Sequence, residues 1–212
     1  MTASVLKIIA MLAMLIDHIG MVFFPDVAIL RIIGRFAFPI FAYCIAEGCI
    51  YTRDKKKYLL RTIICAAVYQ LISVLLYQNF TPCVVWGYAA AIIFAMLHTW
   101  AKEKWLYRCL ILTIYTIVIA LALFIIKSDY LCFGFLCTIC VYTMHKSWIK
   151  WIGFGSSLLV VGAFYQYQLF ALLSIPLLML YNGKQGKLKL GRIMYYFYPL
   201  HYLLLGVLNY VI

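Results

Sequence analysis

Long apolar runs, most of them closed by basic residues, constrain this chain more than any other feature. An α-helix needs about 20 mostly apolar residues, within a range of about 17–25, to cross the hydrocarbon core of a bilayer. Reading between the charge clusters gives nine candidate spans: 5–24, 28–51, 59–77, 84–100, 106–126, 130–144, 151–166, 168–181 and 193–212. The sixth to eighth are short, and 151–181 can be read as one broken helix, which makes the alternative count eight. Composition agrees with this reading. Of 212 residues 67% are hydrophobic and 11% charged, where a soluble domain is nearer half apolar and a quarter charged. A soluble enzyme, a nucleic-acid-binding domain, a secreted disulfide scaffold and a disordered tail are thereby excluded. The expected fold is all-α: one domain over 1–212, a polytopic transmembrane helix bundle in the inner (cytoplasmic) membrane. The first span carries Asp17-His18 and no small-residue cleavage site, so it reads as a retained helix and not as a signal peptide.

Net charge is +12, from 18 Lys and Arg against 6 Asp and Glu. In a membrane protein the placement of these charges matters more than their sum. With residue 1 inside, the inner loops hold Arg53, Lys55, Lys56, Lys57, Lys102, Lys104, Arg108, Lys146, Lys150, Lys184, Lys187, Lys189 and Arg192, while the outer side holds only Lys127. Basic residues collect in cytoplasmic loops, so the N-terminus is expected inside and no nucleic-acid partner is needed to explain the charge. The eight cysteines fall mostly within apolar runs and read as small packing residues. Cys137 and Cys140 form a lone CxxC with no second pair, and no metal site is expected.

Ionisable groups inside the hydrocarbon layer are costly unless paired or facing a wet cavity, which makes them functional candidates. Here they are Asp17, His18, Arg31, Arg35, Glu47, His98 and His201. At about 1.5 Å per helical residue, Asp17, His18 and Arg35 lie roughly 18–20 Å from the inner face, His201 about 12 Å in and Glu47 about 6 Å in. Neighbours on a helix point about 100° apart, so Asp17 cannot orient His18. Its partner must be Arg35 or Arg31, which share a face at i, i+4. The spare positive charge suits an anion or a polarised carbonyl. His18 and His201 can take a proton near neutral pH. Gly34 and Pro39 interrupt the second span, and Pro199 sits two residues before His201; broken helices are tolerated where they line a cavity. The basic runs 53–61 and 184–192 flank the inner mouth, where they are either topogenic or phosphate-holding.

Several stretches resemble the TraX family of F-pilin acetylation proteins. These are Leu6-Lys7-Ile8-Ile9-Ala10-Met11 through Met14-Leu15-Ile16-Asp17-His18-Ile19-Gly20, and Leu30-Arg31-Ile32-Ile33-Gly34-Arg35 with Phe38-Pro39-Ile40-Phe41 and Ala46-Glu47-Gly48. Thr52-Arg53 to Leu60-Arg61 and Tyr181-Asn182-Gly183 to Tyr198-Pro199-Leu200-His201 follow, with a weaker match at Ser128-Asp129-Tyr130 and Gly134. The resemblance runs nearly end to end, and the first sixty residues are its specific part. It implies an integral-membrane acetyltransferase using acetyl-CoA, with Asp17, His18, Arg31, Arg35, Glu47, Arg53, Arg61 and His201 as functional positions.

The expected roles follow. Arg53, Lys55, Lys56, Lys57 and Arg61 meet the CoA phosphates, with Arg31, Glu47 and Tyr198 also on the cofactor side and Glu47 ordering the mouth. His18 deprotonates the acceptor, Arg35 balanced against Asp17 stabilises the oxyanion, and His201 is a second acid/base or thioester-orienting group. The acceptor is an amine, such as the N-terminus of a membrane-associated pilin-like peptide, or a hydroxyl; direct transfer and an acetyl-His intermediate are both open. The alternative is a small proton-coupled transporter with Asp17, His18 and Glu47 as a relay.

Overall fold

The computed structural model describes residues 1–101, 105–130, 132–165, 167–188 and 190–211. Every regular element among them is helical: α1 (Ala3–Phe23), α2 (Ala28–Gly34), α3 (Ala37–Tyr51), α4 (Lys55–Tyr77), α5 (Val84–Trp100), α6 (Trp105–Ile125), α7 (Phe133–Thr143), α8 (Lys150–Phe164), a 3-10 stretch (Gln168–Leu173) continued by α9 (Ser174–Met179), and α10 (Ile193–Val211). Lys102, Lys104 and Lys189 of the expected inner loops lie outside the described residues.

The second run is one 24-residue apolar stretch, Ala28–Tyr51, divided where Gly34 and Arg35 end α2. The backbone tightens there: Arg35 and Phe36 donate to the carbonyls of Ile32 and Ile33, three residues back. Pro39 falls in the first turn of α3, where its missing N–H loses little. α4 starts from Asp54, whose carboxylate accepts from the Lys57 backbone N–H at 3.0 Å and pairs with its ammonium at 3.2 Å. Those bonds hold the Asp54 carboxyl below its usual range, the expected effect of donors on an N-cap carboxylate.

Four stretches are long and apolar enough to cross a membrane: α1, α2 with α3, α4 and α6. The chain is therefore a membrane protein. α6 makes the case by itself, because beyond Arg108 it is predominantly apolar yet leaves Leu110, Ile114, Ile117, Val118 and Leu121 exposed, a surface that lipid covers and water would not tolerate. α5 coincides with the expected 84–100, while α7, α8 and 168–179 are shorter than the expected spans. The run 151–181 is not one broken helix. α8 ends at Tyr165 in an extended conformation, and the chain turns back so that Leu169 lies against Gly162, leaving no room there for a Cβ.

α3 is central, buried along Ala37–Tyr43 and at Ile45, Ala46 and Cys49, with α1, α5 and α7 packed around it and α10 lodged between α1 and α4. One end of the bundle gathers the chain start, 47–55, 142–150 and 180–188. Ala3 and Ser4 donate to the carbonyls of Lys184 and Gln185, Tyr181 donates to Glu47, and Lys150 reaches Tyr43. The opposite end brings together 79–82, 129–130 and 165–168, with the Asp129 N–H donating to the Pro82 carbonyl and Tyr130 packed against Tyr165. The basic loops thus collect at one end.

Candidate active site

Asp17 takes both arginines. The Nη2 of Arg35 donates to its two carboxylate oxygens at 2.6 and 2.7 Å, and Nη1 of Arg31 meets Oδ1 and the Asp17 backbone carbonyl, each at 2.9 Å. Asp17 and Arg35 are buried, 8% and 7% exposed, so this is a desolvated pair whose partners cannot be removed singly without cost. Gly34 makes room for it, since a Cβ at that position would overlap the Asp17 side chain. The remaining donors of Arg35 are also engaged: Nε by the Arg31 carbonyl at 3.0 Å, Nη1 by the Tyr130 hydroxyl at 3.2 Å and the Gln168 Oε1 at 3.3 Å. A guanidinium has five N–H groups, and those of Arg35 meet five acceptors. Arg31 makes no such bond through Nε or Nη2 among the described residues, and its side chain is 25% exposed.

His18 turns to another partner. Its Nδ1 lies 2.7 Å from Nε2 of His201, with the ring planes parallel to within 2°, and Nδ1 of His201 is 2.7 Å from the Phe197 carbonyl. A carbonyl only accepts, so Nδ1 of His201 carries the proton. In the neutral ring Nε2 then accepts, which makes Nδ1 of His18 the donor and leaves the lone pair on Nε2 of His18. The two imidazoles form a directed relay. Phe197 stacks on His201 at 5.0 Å, and Pro199, inside α10, withholds the N–H that would reach the Tyr195 carbonyl.

Counting along helices put His201 nearer the inner face than His18. The structure brings their rings together: 182–188 packs on the start of α1, and α10 begins only at Ile193, after Gly191 and Arg192.

Two cavities flank this centre. The smaller, about 220 Å³, is lined by Asp17, His18, Arg31, Arg35, Asp129 and Tyr130, among others. The larger, about 920 Å³, lies toward the basic end and is lined by Lys7, Glu47, Arg61, Arg192, Tyr181 and Tyr198, among others. Arg31 lines the smaller chamber. Arg53, Lys55, Lys56 and Lys57 line neither cavity; Lys57 pairs with Asp54, and Lys55 lies over the Tyr142 ring. Lys7, within the first span, and Arg192, in the run 184–192 read as either topogenic or phosphate-holding, line the larger cavity with Arg61.

Three further groups escaped the sequence reading. Gln168 is fully buried, with Oε1 on Arg35 and its Nε2 unpartnered among the described residues; a survey restricted to ionisable residues passes over an amide. Tyr130 holds Arg35 from a left-handed backbone, φ 57°, a conformation a non-glycine residue adopts only when its surroundings impose it. Asp129, between α6 and α7, brings a carboxylate to the smaller chamber, and burial raises its pKa to about 6 against the opposing pull of Arg35. A charged residue at a span end gave no depth signal, although Ser128-Asp129-Tyr130 lies within a stretch that carried the resemblance. All eight cysteines are free thiols.

No solved structure matches the chain. A 77-residue segment is 36% identical to the uncharacterized protein RP591 of Rickettsia prowazekii, covering 36% of this chain and 29% of that protein. A 73-residue segment is 33% identical to the probable fimbrial assembly protein FimC, serogroup H1, of Dichelobacter nodosus, covering 32% of this chain and 30% of that one. The matches therefore span under a third of either relative's length. The family model for TraX protein, by contrast, matches residues 2–209, and the chain belongs to the TraX family.

Proposed function

We propose that this protein is an integral-membrane acetyltransferase moving an acetyl group from acetyl-CoA to an amine. The observation that carries this reading is the His18–His201 relay, which leaves a lone pair on the one imidazole that lines the smaller chamber. Family membership supports it, as does the larger cavity at the basic end, where Lys7, Arg61 and Arg192 suit phosphate charge and have no carboxylate partner among the described residues. The charge bias favours nine passes with the N-terminus and the larger cavity on the cytoplasmic side.

The acceptor enters the smaller chamber as an ammonium, whose charge Asp129 complements, and releases one proton to solvent. Its nitrogen attacks the thioester carbonyl carbon, forming the C–N bond. The developing oxyanion is met by the uncommitted N–H groups of Arg31; Arg35, with every donor engaged, positions Asp17 and Arg31. Nε2 of His18 takes one of the two remaining nitrogen protons while His201 supports the charge, and that proton passes to sulfur as the C–S bond breaks, the other staying on the amide. The products are an amide and free CoA.

The test uses purified protein in lipid nanodiscs with labelled acetyl-CoA and a short peptide bearing a free α-amine. Labelled peptide should form with the wild type and fall to background with His18→Ala. Turnover that persists in both His18→Ala and His201→Ala would remove the basis of this reading.

A further inference from the structure

The two cavities share three aromatic side chains, Phe41 of α3, Tyr88 of α5 and Tyr198 of α10. Residues that line both chambers stand between them, so three rings from three helices form the neck. They are held in place. Phe41 and Tyr88 are buried, the Tyr88 hydroxyl donates to the Phe38 carbonyl at 3.1 Å, and the Tyr198 ring packs edge-on to Phe41 at 6.4 Å and against Tyr69 at 4.7 Å. Phe38 in turn stacks on Tyr130 at 4.3 Å, which ties this neck to the shell around Arg35. Beyond it the His18 chamber measures about 220 Å³, below the roughly 300–1,000 Å³ of a site for a drug-sized ligand. That volume has to take both the acyl group and the acceptor nitrogen.

We propose that Phe41, Tyr88 and Tyr198 are the acyl-length selector: they admit a two-carbon acyl group to His18 and exclude longer ones, while the rest of the thioester stays in the larger cavity. This rests on the acetyl-transfer reading. Selection arises because fixed rings cannot withdraw without disturbing the Phe38–Tyr130 contact, so each added methylene meets packed aromatic surface. A methylene misfit in an apolar pocket is worth about 10–200-fold in specificity.

Acetyl-, propionyl-, butyryl- and hexanoyl-CoA are the probes, with the full chain in nanodiscs and water as acceptor. The water oxygen bonds to the acyl carbon, the C–S bond breaks, and the water proton passes through His18 to sulfur, giving the free acid and free CoA, which is measured. Wild-type rates should fall about tenfold or more from acetyl to propionyl and again to butyryl. Phe41→Ala should raise the butyryl-to-acetyl ratio at least about tenfold, and Tyr198→Leu, which keeps a side chain in place if the alanine variant does not fold, should move it the same way. Wild-type acetyl turnover with a flat chain-length profile, or folded variants that keep the wild-type profile, would overturn the selector while leaving acetyl transfer intact. A wild type that releases CoA from no donor, with water alone or with the α-amine peptide added, overturns the transfer reading and the selector with it.

Discussion

The chamber around His18 and the cavity at the basic end are built on opposite plans. In the first, charges answer one another at short range: Asp17 is flanked by two arginines, Arg35 has no donor left over, and each imidazole nitrogen of His201 has a partner. In the second, Lys7, Arg61 and Arg192 line an open space with no carboxylate partner among the described residues, beside tyrosines and the half-buried Glu47. A centre whose buried charges are paired fixes geometry, with Arg31 alone of the two arginines keeping free donors, whereas an unpaired set is suited to a charge from outside. Changes in the first should strike turnover and stability, and changes in the second should strike affinity.

The largest expected effect is on turnover. General acid–base groups supply about 10²–10⁴-fold, so His18→Ala should cost that much in kcat while donor affinity, measured by calorimetry, stays within twofold or so. His201→Ala should cost less, since the remaining imidazole keeps its lone pair and loses only its orientation. An equal loss in both would mean that protons travel through both rings.

Asp17→Asn comes next and reads out as stability. It strands arginine charge in a desolvated site, and breaking a buried pair costs about 3–5 kcal/mol, to be read from denaturation in detergent. Pairing Asp17→Asn with Arg35→Met should cost less than the two single changes added together; strict additivity would show that the ion pair carries no coupling.

Gly34→Ala should be milder, about 1–3 kcal/mol, the usual range for overpacking, because the added methyl displaces the Asp17 carboxylate. It should lower kcat as well, and Gly153→Ala, where the added carbon meets the Cys140 sulfur at an ordinary 3.4 Å, serves as the control.

At the basic end, Arg61→Gln should raise KM for acetyl-CoA severalfold at low salt and leave kcat alone. The difference from wild type should shrink by 0.5 M salt, where screening shortens the reach of an exposed charge to a few ångströms. A salt-independent loss would make Arg61 a packing residue.

The smallest effect is a pH limb. Burial raises the Asp129 carboxyl to about 6, so it is protonated below that pH and ionised above it. KM for an amine acceptor should therefore fall as pH climbs through about 6, and Asp129→Asn should remove the limb. The sign for stability is the reverse. Because the folded-state value exceeds the unfolded one, the unfolded state binds fewer protons between about pH 4 and 6, and this group's contribution to stability declines across that window.

The sequence exposed more of the first centre than of the second. Asp17, His18, Arg31, Arg35 and His201 stand out because an ionisable side chain in an apolar run has to be explained, and that cost is independent of the fold. The split between Asp17 and His18 also follows from helix geometry alone. Which arginine keeps free donors does not, since it depends on Tyr130 and Gln168 arriving from distant segments. At the basic end sequence reasoning had only density of charge to work with, and it took Arg53, Lys55, Lys56, Lys57 and Arg61 together. Position in the bundle separates them: Arg61 lies two turns into α4, where it meets the cavity, while Lys57 is spent on its own helix cap.

The relay joins residues 183 positions apart, on the first helix and on α10. A chain leaves the ribosome N-terminal end first, so His18 enters the bilayer long before the ring that orients it has been made. Until α10 docks between α1 and α4, the His18 ring has no partner to fix its orientation. Assembly order thereby delays the oriented pair: on the proposed acetyl-transfer reading, a bundle still lacking α10 should work more slowly than the completed one.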